Sequence, residues 1–521
     1  MNAPGNFKER LRALAPAVLK SLQRGIEKES LRVRPDGALA LTPHPKALGS
    51  ALKHPHITTD FSEALIELIT GVHTGIDACL AELKRIHQFV YRNIGDEALW
   101  GASMPCTLPD EDAIPIARYG DSNVGRAKTV YRTGLSHRYG RRMQMIAGLH
   151  YNFSLPESAW PLAGAGGPNE AYFALIRNFR RHAWLLLYLF GASPAVCASF
   201  VEGRRHELRE LSAGTLYLPH ATSLRMGRLG YLSDAQDKLL VSYNNLESYT
   251  ASLYDVLTRP YAPYERIGIR DGADGYRQLA TSLLQIENEF YSTIRPKRVI
   301  RPGERPLHAL RERGVEYVEV RAMDLDPFSP IGISASTVRF LDIFLLHCLL
   351  TESPPDTRQE IEAIGRNKQR ASTRGREPGL VLERGAEQVE LREWGAQVLA
   401  ECEPIAQALD STHRGGHEKN AYRDALAAAV TAVEDPALVP SARVLSEIQQ
   451  SHGGSYARFA LARSLEHART LRNEPLSSEV EARFVRLAEE SVRKQKEIEA
   501  ADKVDFETYR QRYLSPESLR V

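Results

Sequence analysis

Polar and apolar residues alternate along several short stretches of the first 350 positions. In IEKES, residues 26–30, Glu27 and Glu29 are two positions apart, and a turn-forming RPDG follows at 34–37. Successive side chains of a β-strand point to opposite faces, so a strand here would aim both carboxylates in one direction. Like charges at that spacing repel, which indicates either exposure to water or a cation between them.

Four other stretches predict strands, namely ITTDFSEALIELITGV (57–72), QMIAGLHYNFSLP (144–156), LLQIENEFYSTIRPKR (283–298) and GVEYVEVRAMDLDPFSP (314–330). The first is expected to form strand, bend and strand and carries Asp60 and Glu67, although alanine and leucine also permit a helix over 61–69. In the other three, one face carries Gln144, Ile146, His150, Gln285, Glu287, Glu289, Tyr291, Glu319 and Arg321. Strands with one apolar and one polar face are typical of an antiparallel sheet whose second face is wet or functional.

The chain changes character after about residue 350, where it becomes mostly helical and highly charged. Helices covering the apolar face of the sheet would complete an α+β fold. We therefore expect one catalytic unit over 1–521, with a sheet-containing core at 1–350 and a mostly helical part at 351–521. The charged C-terminal helices are assigned no chemistry.

Composition narrows the class of protein. The formal net charge is +2, from 67 basic and 65 acidic residues, so nothing indicates binding to nucleic acid or to a membrane surface. The five cysteines are scattered and form no CxxC pair, which disfavours a zinc knuckle or a disulfide framework. The N-terminal stretch lacks the apolar core of a secretory signal. A cytoplasmic protein, acting as a monomer, is the expectation.

One apolar segment, AWLLLYLFGASPAVCASFV at 183–201, is about long enough to span a bilayer. Gly191, Ser193 and Pro194 interrupt it, leaving a continuous apolar run of about eight residues. A buried helix that ends at Gly191 is therefore predicted, with a membrane anchor as the alternative.

The acidic residues of the predicted strands could form one site. They are Glu27, Glu29, Asp60, Glu67 and Glu319, with His150 on a similar polar face. Considered alone, each of these residues is consistent with a hydrated side chain on an exposed sheet face. If they converge, they cannot all stay ionised without cations, and hard oxygen ligands with one imidazole suit Mg²⁺ or Mn²⁺.

Basic residues accompany these acids. They are Arg126, Lys128, Arg132, Arg138, Arg225, Arg295, Lys297, Arg298 and Arg321. Most surface arginines only keep a protein face hydrated. Metal-binding carboxylates beside arginines are, however, also typical of phosphoryl-transfer sites. The sequence contains no GxxxxGK[ST] loop, no GxGxxG after a strand, and neither HExxH nor GxSxG. An ATP-using enzyme of another architecture remains among the classes of protein that the sequence allows.

Several long segments occur in order from about residue 22 to 335, among them RGIEKESLRV, HPKALGSALKHPHITTDFSEALIELIT, YGDSNVGRAKTVYRTGL, GLHYNFSLP, ATSLRMGRLGY, QIENEFYSTIRPKR and VEYVEVRAMDLDPFSPIG. Together these segments resemble the bacterial single-chain glutamate–cysteine ligase family. The resemblance implies a glutamine-synthetase-like fold, in which a curved antiparallel sheet forms a funnel for ATP and divalent metals. It also implies ATP-dependent joining of the L-glutamate γ-carboxylate to the L-cysteine amino group through a γ-glutamyl phosphate, the first step of glutathione synthesis.

The resemblance also implies roles for individual residues. The magnesium shell would comprise Glu27, Glu29, Asp60, Glu67, His150 and Glu319. The substrates would contact Arg225, at the glutamate α-carboxylate, and Tyr131, Leu135, Gln144, Ile146, Tyr231 and Tyr291, around cysteine. ATP would contact Arg295 and Lys297, and the transferring phosphoryl group would face Arg132 and Arg321. None of the five cysteines needs a catalytic role, and all are expected to be small buried hydrophobes.

Two other functions stay open at this stage. A ligase of the same architecture could use a different amine, and a non-catalytic protein could have kept the fold while binding only metal or nucleotide. The complete set of acids and arginines favours an enzyme, because a decayed site would be expected to lose some of them.

Overall fold

The computed structural model describes residues 7–105, 107–160, 167–230, 235–236, 239–273, 275–412 and 419–520. The strands of its main sheet are β1 (Gln23–Val33), β2 (Ile57–Thr59), β3 (Leu65–Ile69), β4 (Ala98–Leu99), β5 (Leu149–Ser154), β11 (Ile294–Lys297) and β12 (Tyr317–Met323). The strands of three small sheets are β6 (Ala195–Cys197), β7 (Arg209–Ser212), β8 (Thr215–Tyr217), β9 (Arg270–Asp271), β10 (Gly275–Tyr276), β13 (Val381–Arg384) and β14 (Glu387–Glu390).

The main sheet has the order β11-β12-β5-β1-β3-β2, with β4 also paired to β1, and each of these pairings is antiparallel. Its apolar face consists of β-branched and aromatic residues that are almost fully buried, such as Ile26, Ile66, Tyr151 and Val320. The pairing of β5 with β12 shifts register between Val320 and Met323. Such an irregularity bends a strand and increases its twist. The other face carries the polar residues and forms one wall of a cavity.

The helices of the N-terminal two thirds are α1 (Phe7–Ala13), α2 (Pro16–Lys20), α3 (Ile76–Asn93), α4 (Asn123–Tyr139), α5 (Pro168–Phe190), α6 (Ala198–Val201), α7 (Leu246–Thr258), α8 (Ala262–Ile267), α9 (Pro306–Arg313) and α10 (Ala335–Leu350). Those that follow are α11 (Arg358–Arg374), α12 (Leu391–Thr412), α13 (Ala421–Glu434), α14 (Pro440–Ser451), α15 (Tyr456–Asn473), α16 (Ser478–Ala501) and α17 (Phe506–Leu514). Helices α3 and α5 pack on the sheet, and α10 packs on both of them. The α+β class and the mostly helical C-terminal part are thus confirmed, with β13 and β14 as a short hairpin inside the latter.

A buried ionic cluster joins the sheet to α10. Asp342 on α10 pairs with Arg24 of β1 at 2.9 Å and accepts hydrogen bonds from the hydroxyls of Tyr151 on β5, at 2.6 Å, and Tyr422 on α13, at 3.2 Å. Removing one partner of such a pair leaves a buried charge uncompensated, at a cost of about 3–5 kcal/mol. The cluster therefore fixes how α10 and α13 sit behind the strands that carry the polar face.

The strand predicted over LLQIENEFYSTIRPKR forms only in part. Residues Glu287–Glu289 form a turn of 3-10 helix, and the strand begins at Ile294. Glu287 pairs with the buried Arg305 at 2.6 Å, and Glu289 pairs with Arg138 at 2.8 Å. These acids are neutralised inside the fold, so their alternation reflects two internal ion pairs and not a polar sheet face.

The remaining local predictions hold more closely. Residues 57–69 form strand, bend and strand, and the helix considered for 61–69 is absent there. QMIAGLHYNFSLP enters through a 3-10 turn, Met143–Met145, before its strand begins at Leu149. The apolar segment from 183 forms the end of the buried helix α5, whose C-cap is Gly191. No helix in the described ranges is long and apolar enough to cross a membrane.

Lys28 points to the apolar side of β1, between the two glutamates that face the cavity. It is 3% exposed, its Nζ lies 3.0 Å from His87 Nε2, and burial lowers its pKa to about 7. In the unfolded chain the pKa of Lys28 is about 10.4, so folding releases its proton between about pH 7 and 10.4. Because the unfolded state binds more protons there, the contribution of Lys28 to stability rises with pH over that window.

We expect Lys28→Met, which carries no charge, to stabilise the protein most near pH 7. The gain should shrink by about 2–4 kcal/mol as the pH approaches 10, because the free-energy cost of deprotonating wild-type Lys28 on folding falls as the pH nears its unfolded pKa. Thermal unfolding midpoints of both proteins at pH 7.0 and pH 9.8 measure this. The same midpoint difference at both pH values would contradict the assigned titration.

Candidate active site

Cross-strand pairing brings the acids together in the middle of the sheet. Glu27 lies opposite His150, and Glu29 lies opposite Glu67. On the far side of β5, Glu319 of β12 lies opposite Arg295 of β11. Opposed residues of antiparallel strands have Cβ atoms about 4.5–5.5 Å apart, so residues from five strands of the chain converge by backbone geometry alone.

These side chains line a cavity of about 420 Å³ that lies against the polar face of the sheet. Most of the residues singled out in the sequence contribute to its wall. They are Glu27, Glu29, Asp60, Glu67, Tyr131, Arg132, Leu135, Gln144, Ile146, His150, Tyr291, Arg295, Lys297, Glu319 and Arg321. The convergence that the sequence only suggested is therefore present in the structure.

Glu27 and His150 form one pair in this wall. His150 Nδ1 lies 3.2 Å from Glu27 Oε2, and the Asn152 side-chain amide donates to Glu27 Oε1 at 2.8 Å. Burial opposes ionisation of Glu27, but the hydrogen bond from His150 and the charges of His150 and Lys297 together outweigh it and lower the pKa of Glu27. Burial and the nearby Arg321 lower the pKa of His150, which favours a neutral imidazole.

Glu319 is 1% exposed and has two basic neighbours. Lys297 Nζ donates to its Oε1 and Arg321 Nη1 to its Oε2, each at 3.2 Å. Burial alone would raise the pKa of Glu319, but Lys297 and Arg321 together hold it well below the usual value. Glu319 is consequently ionised, and it holds the charged side chains of Lys297 and Arg321 in the cavity wall.

Glu29 and Glu67 are acids without a comparable cation at hand. Burial and the Asp60 charge raise the pKa of Glu29 to about 8, even though the Gly148 amide donates to its Oε2 at 2.6 Å. Burial and the charges of Glu27 and Glu29 raise the pKa of Glu67 well above its usual value. Protonation relieves the repulsion at neutral pH, and a bound cation would relieve it equally well.

Arg132 of α4 faces these acids from the opposite wall. Its Nη2 lies 3.8 Å from Asp60 Oδ1, its Nε donates to the Asp60 backbone carbonyl, and its guanidinium lies over the Tyr119 ring at 4.6 Å. Helix α4 begins at the N-cap Ser122, whose side chain accepts from Gly125 N. A capped helix and an aromatic face thus position one guanidinium in the cavity wall.

The far end of the cavity is aromatic and apolar. Tyr131 and Leu135 lie one turn apart on α4, and Ile146 and Tyr291 come from the segments opposite. The Gln144 side-chain amide donates to the Tyr291 hydroxyl at 3.1 Å. This end could hold a small, weakly polar side chain next to the charged region.

A glycine makes this packing possible. A Cβ at Gly134 in α4 would lie 2.2 Å from Gln285 Oε1. Gln285 is itself held, because that oxygen accepts from Leu279 N at 2.9 Å and its amide donates to the Tyr131 carbonyl at 3.2 Å. Neither side can move without breaking a buried hydrogen bond.

Gly134→Ala is expected to destabilise the protein by about 1–3 kcal/mol and to lower activity by displacing Tyr131 and Leu135. The matched control is Gly365→Ala in α11, where a Cβ would meet no atom within 4 Å. That change should raise stability by up to about 1 kcal/mol through helix propensity. Thermal unfolding of the two variants measures both, and equal shifts would refute the argument from packing.

Two predicted site residues differ from the rest. Arg225 does not line the cavity: it is fully buried, with Nη1 3.6 Å from Asp324 Oδ1 and Nη2 donating to the Arg321 carbonyl at 2.8 Å. A buried acid and a backbone carbonyl engage the guanidinium, and its contact with glutamate stays a prediction. Tyr231 lies outside the described residues.

The cavity also contains residues that the sequence did not single out as site residues. Lys128, one turn before Arg132, lines it, and its Nζ lies 5.0 Å from the Tyr119 ring centroid. Tyr509 and Tyr513 of α17 line it as well, with their rings stacked at 5.7 Å. Lys128 stood within a visible basic cluster, but no local signal marks two tyrosines some 190 residues beyond β12.

The donor set suits a hard divalent cation. One ligand atom from each of Glu27, His150 and Glu319 lies within 4.8 Å of the other two. His150 Nε2 is buried, and no described residue gives it a hydrogen-bond partner. Carboxylate oxygens with one neutral imidazole are ligands for Mg²⁺ or Mn²⁺, so the residues present fit such an ion.

Together, the antiparallel sheet and the opposed acids and guanidinium groups in one cavity define an enzyme that assembles anionic substrates on a sheet face. Comparison with known proteins gives the family. A sequence model described as Glutamate-cysteine ligase matches residues 10–371. A glutamate–cysteine ligase of Alcanivorax borkumensis is 47% identical over 512 residues, covering 96% of this chain and 97% of that protein, and one of Pseudomonas fluorescens is 50% identical over 502 residues, covering 95% and 93%.

A crystal structure agrees with these sequence relatives. The glutamate–cysteine ligase of Francisella tularensis in complex with AMP superposes with a TM-score of 0.89 at 37% identity, covering 95% of this chain and 97% of that one. The chain belongs to the glutamate–cysteine ligase family.

Proposed function

We propose that the cavity on the polar sheet face is where this glutamate–cysteine ligase activates the γ-carboxylate of L-glutamate with ATP and couples it to the amino group of L-cysteine. This reaction is the first step of glutathione biosynthesis. The observation that carries the assignment is the convergence of acids from β1, β3 and β12 with Arg132 and Arg321 in one cavity. The AMP bound to the Francisella enzyme supports nucleotide use by the same fold.

The need for charge neutralisation explains this arrangement. A carboxylate is a poor acyl donor at neutral pH, so it must first become an acyl phosphate, which requires two anions to meet. Glu27, Glu29, Asp60, Glu67, His150 and Glu319 are the proposed cation shell. Bound Mg²⁺ or Mn²⁺ would supply neutralisation of the phosphate charge. Arg132 and Arg321 stabilise negative charge on the transferring phosphoryl group, and Arg295 and Lys297 bind the nucleotide phosphates.

The second half of the reaction needs orientation more than a nucleophile from the protein. The cysteine amine attacks the γ-glutamyl phosphate and phosphate leaves. Tyr131, Leu135, Gln144, Ile146 and Tyr291 would hold the cysteine side chain and exclude water that would hydrolyse the acyl phosphate. Arg225 is the proposed partner of the glutamate α-carboxylate, and its hydrogen bond to the Arg321 carbonyl would also position that residue.

The antiparallel order and the concave, acid-lined face support a glutamine-synthetase-like funnel. Residues 1–521 are proposed to act as a single catalytic unit, since Tyr509 and Tyr513 from the C-terminal part line the same cavity as the sheet residues. Monomeric action is likewise proposed.

A coupled assay tests the proposal. Release of ADP should require glutamate and Mg²⁺ and should rise when L-cysteine is added. Hydroxylamine should trap the activated glutamate as its hydroxamate. Preference for an amine without a thiol, in a panel that includes alanine, serine and 2-aminobutyrate, would assign a different acceptor to the same architecture. Nucleotide binding without any turnover would leave only a binding protein.

A further inference from the structure

A second cluster of possible metal ligands lies outside the acidic cavity, where α5, α10 and α12 meet. One ligand atom from each of His182, His347 and Cys348 lies within 4.8 Å of the other two. His182 is on α5, and the other two are consecutive on α10. None of the three lines the acidic cavity.

His347 already has the environment of a metal-ligating histidine. Its side chain is fully buried, and its Nε2 lies 2.7 Å from Glu401 Oε2 of α12. Its Nδ1 is buried and has no hydrogen-bond partner among the described residues. When Nε2 carries the proton for Glu401, Nδ1 presents a lone pair, and metal-bound histidines usually donate their other N–H to a carboxylate in this way.

The remaining donors complete a mixed nitrogen and sulfur set. Cys348 is fully buried, and the His182 and His347 ring centroids are 5.8 Å apart with planes at 63°. Ligand atoms around tetrahedral zinc are about 3.3–3.8 Å apart, as follows from bond lengths of about 2.0–2.3 Å. Small side-chain rotations that move each ligand atom by about 1 Å or less would bring these three atoms to that spacing.

An ion could also reach the cluster from solvent. His182 and Glu401 line a cavity of about 650 Å³ whose other walls include Trp394, Arg384 and Glu360. Glu401 is 59% exposed, so water from the cavity is available as a fourth ligand. A site with ligands, a partner for the second histidine nitrogen and an entry path meets the checkable requirements for metal binding.

We propose that His182, His347 and Cys348 bind one zinc-class divalent cation, separate from the hard cation of the acidic cavity. Binding converts the Cys348 thiol to a thiolate bonded to the metal and releases its proton to solvent. The ion cross-links α5 to α10 and, through Glu401, to α12. Because softer donors prefer zinc or cobalt to magnesium, the two sites differ in selectivity.

Cobalt titration of the full-length enzyme, freed of metal and kept in thiol-free reducing buffer with excess Mg²⁺, tests this. One equivalent of Co²⁺ should produce visible d–d bands and a near-ultraviolet thiolate-to-cobalt band, and Zn²⁺ should displace both. Cys348→Ala should abolish the thiolate band, whereas Cys79→Ala, another buried cysteine on α3, should retain it. Glu401→Gln should weaken binding by about 10- to 100-fold.

Two further variants keep the proposal falsifiable if Cys348→Ala folds poorly. His182 is half-buried at the cavity wall, so His182→Gln should fold and still lose at least tenfold in cobalt affinity. Glu27→Gln, in the acidic cavity, should leave the thiolate band unchanged. Absence of the band in the wild-type protein, or its persistence in Cys348→Ala, would overturn the proposal without bearing on the ligase reaction.

Discussion

Glu27→Gln is expected to lower kcat by about 100- to 1,000-fold while leaving the protein folded. Glutamine has the same shape and keeps an oxygen for the Asn152 amide, but it removes the charge that pairs with His150 at 3.2 Å. The proposed cation shell would lose one anionic ligand, so the phosphate charges would meet with less neutralisation. Steady-state ADP release with saturating glutamate and cysteine measures the loss.

The stability of the variant and the dependence of its activity on Mg²⁺ separate this role of Glu27 from a purely structural one. Without metal, the variant should unfold no earlier than wild type, because it removes one charge from a cluster whose acids repel each other. Raising Mg²⁺ should recover part of the activity. Glu316→Gln, on an exposed residue next to β12, is the matched control and should keep full activity. Activity within threefold of wild type for Glu27→Gln would remove Glu27 from the cation shell.

Period-2 alternation was enough to predict the strands that build the site. Glu27 and Glu29 share a face because they are two apart in β1, and Glu319 and Arg321 do so in β12. The α+β class followed from the same pattern. Strand order does not follow from alternation, however, because pairing β1 with β5, some 120 residues later, depends on long-range packing that no local window contains.

The prediction that failed concerns polar residues whose partners are distant in sequence. The QIENEF segment alternates like a strand, but Arg305 and Arg138 bind its glutamates and the backbone turns. Side chains that looked available are neutralised by others, and sequence periodicity carries no information on that pairing. Asp324 likewise pairs with Arg225, whose contact with glutamate stays a prediction.

The structure also divides the charges of the site by function. Lys297 and Arg321 flank Glu319 and lower its pKa, whereas burial and, next to it, neighbouring acids raise the pKa values of Glu29 and Glu67. Cations from solvent are therefore most needed at the β1–β3 side. The protein's own cations are concentrated at the β11–β12 side, which is where phosphate groups would be best stabilised.

Arg321→Lys is expected to lower kcat by about 100- to 1,000-fold with little change in the KM for glutamate or cysteine. Lysine keeps the charge but lacks the planar guanidinium with its several donors. One ammonium group therefore cannot donate to Glu319 Oε2 and contact the transferring phosphoryl group at the same time. Arg321 is mostly buried, its Nη1 donates to Glu319 Oε2 at 3.2 Å, and its side chain lines the cavity, where it is the proposed donor to the phosphoryl group.

Hydroxamate trapping locates the affected step. If Arg321 acts on phosphoryl transfer, formation of the γ-glutamyl hydroxamate from glutamate, ATP and hydroxylamine should fall by the same factor as the complete reaction. Arg298→Lys is the matched control, since Arg298 follows β11, pairs with Glu316 at 3.6 Å and does not line the cavity. Normal trapping with slow peptide formation would instead place Arg321 in the attack by the amine, and an unchanged kcat would exclude it from both steps.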